Sequence, residues 1–179
     1  MPRAHPVGVR RETVPIPAVE ENTTYVPAGA LKIGVEFRVL NDAIVQQHFS
    51  YDERALQIVN NARKEVGNDH EPLDDSGVSF HVCDAETGDE HLRFDAFSND
   101  PHYHYISPGR YHVVVAFDEA ANGNCTQWVL NVLESQLGDM LRFAEADELA
   151  DRVDEGALDR AMNQVRKLLE DQLLIPSAR

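Results

Sequence analysis

Histidines are concentrated in one short stretch of this chain, and imidazole is the side chain best suited to bind metals or move protons near neutral pH. Four of the eight histidines lie between residues 91 and 112. His102 and His104 are two residues apart, so on a β-strand they would share one face, with Cβ atoms roughly 6–7 Å apart. That spacing allows the two imidazoles to share one metal ion or to flank one substrate.

A third histidine, His112, depends on the turn of a predicted hairpin. A two-residue turn at 108–109 would place His104 opposite Val113 and put His112 on the other face of the sheet. A three-residue loop at 107–109 would place His104 directly opposite His112. Pro-Gly is typical of type II turns, whose twist fits hairpins poorly, and this favours the longer loop.

The candidate metal ligands are therefore His102, His104 and His112. A carboxylate could complete the set, from Asp95, from Asp100, or from Glu36 if its strand is adjacent. Two histidines with one carboxylate suit a divalent metal, either zinc or non-haem iron. The plainer alternative is that these histidines are exposed or packed against the neighbouring tyrosines and bind nothing.

The same segment also allows a reaction without a metal, for which the candidate catalytic residues are Arg93, Asp95, His102 and His104. Arg93 could anchor a phosphate or carboxylate, and Asp95 could orient an imidazole. Either His102 or His104 could then act as general acid or base. Cys125, at a predicted helix start, is a weaker candidate for a nucleophile. The common nucleotide-binding and hydrolase fingerprints do not occur in the sequence.

These residues fall on predicted strands. Alternation of apolar and polar residues predicts one strand over 33–39 and two consecutive hairpins, 78–97 and 102–117. Ser50 and Glu53 form a capping box that predicts a helix ending near Gly67, followed by a polar loop over 68–77. Helical spacing predicts an amphipathic helix over 129–141, a short turn after Asp147, and a final helix capped by Asp154.

Together these elements predict an α+β fold. About four antiparallel strands, in two consecutive hairpins, would be covered on one face by the C-terminal amphipathic helices. Residues 1–29, which hold five of the nine prolines, are predicted to be an extended arm, and residues 30–179 a single domain. The polar patch of histidines would then lie on the sheet face away from the helices, partly open to water.

Charge and composition narrow the classes of partner. The formal net charge is −15, which argues against binding nucleic acid or anionic lipid. The two cysteines have no metal or disulfide spacing, which suits reduced thiols and a cytoplasmic location. The longest apolar run, Val113 to Phe117, is too short to span a membrane. A protein partner or a second copy of the chain remains as an expected partner.

The segments Leu92-Arg93-Phe94-Asp95 and Pro101-His102-Tyr103-His104-Tyr105, followed by a helix containing Trp128, resemble an uncharacterised bacterial domain family of unknown function. The resemblance covers roughly residues 78–174 and implies no activity. A looser resemblance, through Arg93, Asp95, His102 and His104, is to small toxin-like families, some of them thought to be ribonucleases. Those families tend to be short and basic, unlike this acidic chain.

Two functions from different classes follow. The first is a binding or accessory module that carries the His/Arg/Asp patch on a sheet of hairpins. The alternative is a small His-dependent hydrolase or ribonuclease-like enzyme, with or without a metal. Elemental analysis of untagged protein would discriminate between them.

Overall fold

The fold is built on one antiparallel sheet. The computed structural model describes residues 10–12, 16–49 and 72–173, together with the helical positions 53, 56, 57, 60, 61 and 64. The strands are β1 (Arg10–Glu12), β2 (Thr23–Ala28), β3 (Leu31–Asn41), β4 (Asp74–Asp84), β5 (Glu90–Phe97), β6 (His102–Ser107) and β7 (Tyr111–Ala116). Their order is β1-β7-β6-β5-β4-β3-β2, so β2 to β7 form a continuous meander and the three-residue β1 adds a strand beside β7.

One helix, α1 (Asp42–Phe49), lies between β3 and β4. The others follow the last strand: α2 (Glu119–Asn122), α3 (Cys125–Ser135), α4 (Leu137–Phe143), α5 (Asp147–Ala150) and α6 (Glu155–Leu173). Asp154 caps the start of α6 through the backbone N–H of Ala157, as the sequence predicts, and Asn124 caps α3 through the N–H of Gln127. No helix in the described part of the chain is both long and apolar enough to cross a membrane.

The hydrophobic core lies between the helices and one face of the sheet. Alternate residues of the central strands, such as Ile33, Phe80 and Phe94, are fully buried there. Trp128 of α3 packs against Phe94 with ring centroids 6.0 Å apart, which fixes that helix over β5. The predicted α+β class, the two consecutive hairpins and the helix-covered face are therefore confirmed.

The predicted number of about four strands is too low, because the sheet continues on both sides of the two hairpins. Pro27 makes residues 23–28 look unsuited to a sheet, but β2 is an edge strand, where a missing N–H is tolerated. The predicted loop over 68–77 is also wrong from Asp74 onward, because β4 begins there and pairs with β3 as far as Asn41. The additional strands place further side chains beside the polar residues of the two hairpins, which the predicted sheet of about four strands does not include.

The helical predictions differ in detail. The single helix predicted over 129–141 is interrupted at Gln136, which ends α3 and precedes α4. Helix α1 is absent from the sequence prediction. Of the helix predicted after Ser50, every described position is helical, whereas Ser50 and the remaining positions lie outside the described residues. The division of the chain into an arm over 1–29 and a domain over 30–179 stays a prediction, although β2 is part of the sheet.

Candidate metal centre

The site is set up by the register of two neighbouring strands. Asp95 on β5 lies opposite His102 on β6, and Arg93 lies opposite His104. Because side chains on a strand alternate between faces, these four residues share the sheet face that points away from Phe94 and the helices. The structure thus brings together the residues that the two-residue spacing predicts to share a face.

Three of these side chains converge on one point. Asp95, His102 and His104 each offer a ligand atom, and the three atoms lie within 4.8 Å of one another. The carboxylate Oδ2 of Asp95 is 2.8 Å from Nε2 of His104 and 3.3 Å from Nε2 of His102. Zinc–ligand bonds of about 2.0–2.2 Å place neighbouring ligand atoms roughly 3–3.5 Å apart, so the Asp95 oxygen already lies near the required distance from each histidine nitrogen.

The other ring nitrogen of each histidine also has a partner. Nδ1 of His102 lies 2.6 Å from the backbone carbonyl oxygen of Asp100, and Nδ1 of His104 lies 2.6 Å from Nε2 of His112. Histidines that bind metals usually donate their second N–H to such an acceptor, which fixes the ring and the tautomer. Ser79 donates its hydroxyl to Oδ1 of Asp95, so the carboxylate is oriented in the same way.

The carbonyl that holds His102 is itself held in place by Asp75. The Asp75 carboxylate accepts hydrogen bonds from the backbone N–H groups of Asn99 and Asp100, at 3.0 and 2.9 Å. These bonds tie the turn between β5 and β6 to the start of β4. Asp75, which the sequence indicates to be a loop residue, is therefore a positioning residue for the site.

The protonation states of the metal-free cluster follow from these partners. His102 faces two acceptors, the Asp95 carboxylate and the Asp100 carbonyl, so both ring nitrogens must donate and the ring is an imidazolium. Burial works to lower the pKa of His102, but the hydrogen bond and charge of Asp95, with the charge of Asp100, outweigh it and raise the pKa to about 9. Burial also lowers the pKa of His104 well below its usual value, and the neighbouring histidines add to this effect.

Asp95 is ionised in this cluster. Burial alone would raise its pKa, but the hydrogen bonds and charges of His102 and His104 hold the pKa well below its usual value. The neutral His104 then donates from Nε2 to Asp95 and accepts from His112 at Nδ1. A metal ion would replace the two protons on the Nε2 atoms, which is the normal way in which metal sites form.

The expectation that this patch is partly open to water is wrong. Asp95 is 3 % exposed, and His102, His104 and His112 are all buried. Over part of this face lies a segment that we call the strap, residues 16–22, which contacts Arg93 of β5 and Arg38 of β3 and leads into β2. Ile16 of the strap also packs with Val45 and Phe49 of α1, a second apolar cluster on this side.

His112 is on the same face as His104, but neither of the two predicted registers is correct. The hairpin loop has three residues, 108–110, so His104 lies opposite Val114 and His112 lies opposite Ile106. The contact between His104 and His112 is diagonal, with ring centroids 4.6 Å apart. His112 therefore meets His104 at Nδ1, on the side away from the three converging ligand atoms.

The guanidinium group of Arg93 contacts Glu90 and the strap rather than the cluster of Asp95, His102 and His104. Its Nε donates to Oε1 of Glu90 at 2.9 Å, its Nη2 donates to the other Glu90 oxygen, and its Nη1 donates to the carbonyl of Ile16 at 2.6 Å. Glu90 is also 2.6 Å from Nδ1 of His81. The sequence predicts Arg93 as an anchor for a ligand, but it does not indicate the ion pair that Arg93 forms with Glu90.

His81 and Glu36 belong to this second group of buried charges. Nε2 of His81 lies 3.1 Å from Glu36, so His81 bridges two carboxylates; burial works against the charged ring, but both hydrogen bonds raise the pKa. Glu36 is therefore engaged with β4 rather than with His102 and His104. The polar alternation of Ser79, His81 and Cys83 on a strand with an apolar opposite face is the signal that could have identified this group.

The other nucleophiles are poorly placed for catalysis. Burial, with smaller contributions from nearby carboxylates, raises the pKa of Cys125 to about 12, and burial raises that of Cys83 to about 12 as well. Ser79 donates to the Asp95 carboxylate, which two histidines already hydrogen-bond, so it lacks the imidazole or amine base that usually activates a serine. Metal binding is thus the chemistry that the arrangement of Asp95, His102 and His104 supports best.

Fold and site together define a class: a meander sheet covered by helices on one face, with a buried His/Asp cluster on the other. A family model described as a domain of unknown function (DUF7700) matches residues 25–169, and the chain belongs to that family. The resemblance to an uncharacterised domain family is thereby confirmed, while its bacterial origin and shared core motif stay predictions. No curated protein and no solved structure matches the chain.

Proposed function

We propose that this chain is a metal-binding module that holds one divalent ion, zinc or ferrous iron, between Asp95, His102 and His104. The observation that carries the proposal is the convergence of three ligand atoms within 4.8 Å, each on a side chain whose remaining polar atom is already paired. Two histidines and one carboxylate are a ligand set that both ions accept.

Burial supports the proposal. A buried carboxylate and a buried imidazolium are costly to remove from water, and their attraction only partly compensates this cost. A divalent ion would satisfy all three ligands at once and would leave the hydrogen bonds to Asp100, His112 and Ser79 in place. The cluster is thus closer to a prepared metal site than to a set of exposed histidines.

Three protein ligands leave at least one coordination position of the ion for water or another ligand. A metal-bound water is a stronger acid than free water, which is the usual basis of metal-assisted hydrolysis. We assign no substrate, because the strap covers this face. Among the described residues, no specific observation favours the ribonuclease-like alternative.

Elemental analysis of purified, untagged protein tests the proposal. We expect about one equivalent of zinc or iron per chain, and an increase in melting temperature when the ion is added to chelator-treated protein. The variants His102→Ala and His104→Ala should each lose the ion. His48→Ala is the matched control, because His48 is exposed on α1 and should keep full metal content.

Metal-free protein from every expression condition, together with no change in melting temperature on adding zinc or ferrous iron, would show that the cluster is structural. Equal metal content in His104→Ala and His48→Ala would place the ion elsewhere. Circular dichroism of each variant would show that loss of metal is not simply loss of the fold.

A further inference from the structure

Two buried arginines converge on the strap. Nη1 of Arg93 donates to the carbonyl oxygen of Ile16 at 2.6 Å, and Nη2 of Arg38 donates to the same oxygen at 2.9 Å. The same Nη2 also donates to the carbonyl of Pro17 at 2.6 Å. Arg93 and Arg38 are 2 % and 7 % exposed, so two guanidinium groups share a pair of neutral acceptors away from water.

Neutral carbonyl oxygens are weak partners for such donors. Hydrogen bonds from a guanidinium to an anion are roughly twice as strong as bonds between neutral groups. Arg93 has Glu90 as a close counter-ion, whereas the nearest carboxylate to Arg38 among the described residues is Glu36, at 3.8 Å and beyond hydrogen-bond distance. The two like charges therefore favour an anion at the position that the strap carbonyls occupy.

We propose that Arg38 and Arg93 form a binding site for the carboxylate group of a small organic acid, and that the strap fills this site when the acid is absent. The proposal goes beyond the metal site and does not depend on it. The carboxylate would accept the guanidinium hydrogen bonds that the carbonyl oxygens of Ile16 and Pro17 accept when the strap is in place.

The donor geometry favours a carboxylate over a phosphate. The strap carbonyls accept three hydrogen bonds from two nitrogen atoms, Nη1 of Arg93 and Nη2 of Arg38, and the two oxygens of one carboxylate have enough lone pairs to accept from both. A phosphate carries more charge and more acceptor oxygens, and burying it with so few donors would cost more. The site accordingly suits a monoanion with two oxygens.

The position of Arg93 shows where the rest of the acid would lie. Arg93 is directly opposite His104 in the ladder between β5 and β6, and opposed residues have Cβ atoms about 4.5–5.5 Å apart. An acid held at its carboxylate by the arginines would extend along the polar face beside His104.

The first part of the strap is held to the sheet by few hydrogen bonds, in addition to the packing of Ile16 against Val45 and Phe49 of α1. The Thr23 hydroxyl and the backbone N–H of Asn22 both donate hydrogen bonds to the carbonyl oxygen of Val19. These bonds fix the end of the strap to the start of β2. Residues 16–19 have no helical or strand structure, and their described hydrogen bonds on the sheet are those to the arginines. A carboxylate would compete for the same donors and release residues 16–18 about Val19.

Thermal unfolding of the full chain in the presence of EDTA tests the site with butyrate as the probe and chloride at equal ionic strength as the reference. We expect a saturable rise in melting temperature, of about 3–6 °C at ten times the dissociation constant. Phosphate at the same ionic strength should give no saturable rise. Arg38→Gln should abolish the response to butyrate, whereas Arg110→Gln, which changes an exposed arginine paired with Glu145, should keep it.

A second variant and a second readout keep the test decisive if Arg38→Gln does not fold. Arg38→Lys keeps the charge but not the planar fork, and it should weaken butyrate binding at least tenfold. Hydrogen exchange of the peptide that covers residues 16–22 should become faster with butyrate than with chloride.

The proposal is wrong if butyrate gives no saturable rise, if phosphate binds in its place, or if Arg38→Lys binds butyrate as tightly as the unchanged chain. It is equally wrong if the strap exchanges at the same rate or more slowly with butyrate. Because EDTA removes metal ions throughout, these results leave the metal proposal to its own test.

Discussion

His112 shows how a residue outside the ligand set can control it. Its Nε2 meets Nδ1 of His104 at 2.6 Å, so it determines which nitrogen of His104 faces Asp95. A metal ion at Nε2 displaces the proton there, so a neutral His104 must carry its proton at Nδ1, and Nε2 of His112 then accepts this hydrogen bond instead of donating it. Its effect on the metal is therefore transmitted through His104.

His112→Ala should consequently weaken the metal site without abolishing it. Loss of an outer hydrogen-bond partner typically costs about 10–100-fold in metal affinity. A competition titration of zinc against a chromophoric chelator measures this change, with His48→Ala as the control. An affinity equal to that of the unchanged chain would show that His112 does not orient His104 in the metal-bound state.

Glu90 gives the protein a measurable acid sensitivity. Burial would raise its pKa, but the hydrogen bond from His81 and the charge and hydrogen bonds of Arg93 lower the pKa from 4.5 to about 2. A group whose pKa is lower in the folded state stabilises the fold above its unfolded pKa. This contribution is lost as the pH falls from 4.5 through 2.

Urea unfolding at pH 6 and pH 3 tests this linkage. The free energy of unfolding should fall between these two pH values by about 2 kcal/mol more in the unchanged chain than in Glu90→Gln. Glu90→Gln should also be less stable at pH 6, because it leaves Arg93 and His81 without their carboxylate. Glu86→Gln, at an exposed position, should follow the unchanged chain. Parallel losses in Glu90→Gln and the unchanged chain would contradict the assignment.

At the scale of elements, the β4–β5 pair positions the site. Gly77 lies opposite Phe97 in this ladder, and Ser79 lies opposite Asp95. A Cβ atom at Gly77 would lie 2.3 Å from the backbone oxygen of Ala96 and 2.8 Å from Cα of Phe97. The two strands approach so closely that only glycine fits without moving the backbone that carries Asp95.

Gly77→Ala should therefore destabilise the fold by about 1–3 kcal/mol, as overpacking does elsewhere. Gly138→Ala is the matched control, since a Cβ atom at Gly138 would meet only the flexible end of Arg142 and alanine favours the helix. Urea unfolding should show a loss only for the first variant, with reduced metal content. Equal stability of the two variants would show that β5 can move away from β4 without cost.

The sequence predicts these elements unevenly, for physical reasons. The alternation from Val78 to Phe97 reports two faces of a strand, so it correctly indicates which side chains share a face. Burial of the polar face depends instead on contacts between residues distant in sequence, such as those of the strap with Arg93 and Arg38, which no local period records. The register of the third histidine depends on one residue of loop length, which turn preferences do not fix.

At the scale of the whole molecule, the two faces of the sheet have different roles. One face carries the core with the helices, and the other carries the three candidate ligands, the second charge group around His81, and the strap. The sequence predicts the first face from the spacing of its apolar residues. It predicts only part of the second, because buried charges such as Glu36 and Glu90 resemble ordinary surface residues until their partners are known.

The central claim is that one ion is bound by Asp95, His102 and His104, and X-ray absorption at the zinc edge of zinc-loaded protein tests it most directly. The spectrum should show two imidazole nitrogens and carboxylate or water oxygens at about 2.0–2.2 Å, without sulfur. In His104→Ala the signal of one imidazole should disappear or the ion should be lost. A sulfur ligand at about 2.3 Å, or a spectrum unchanged in His104→Ala, would contradict the account.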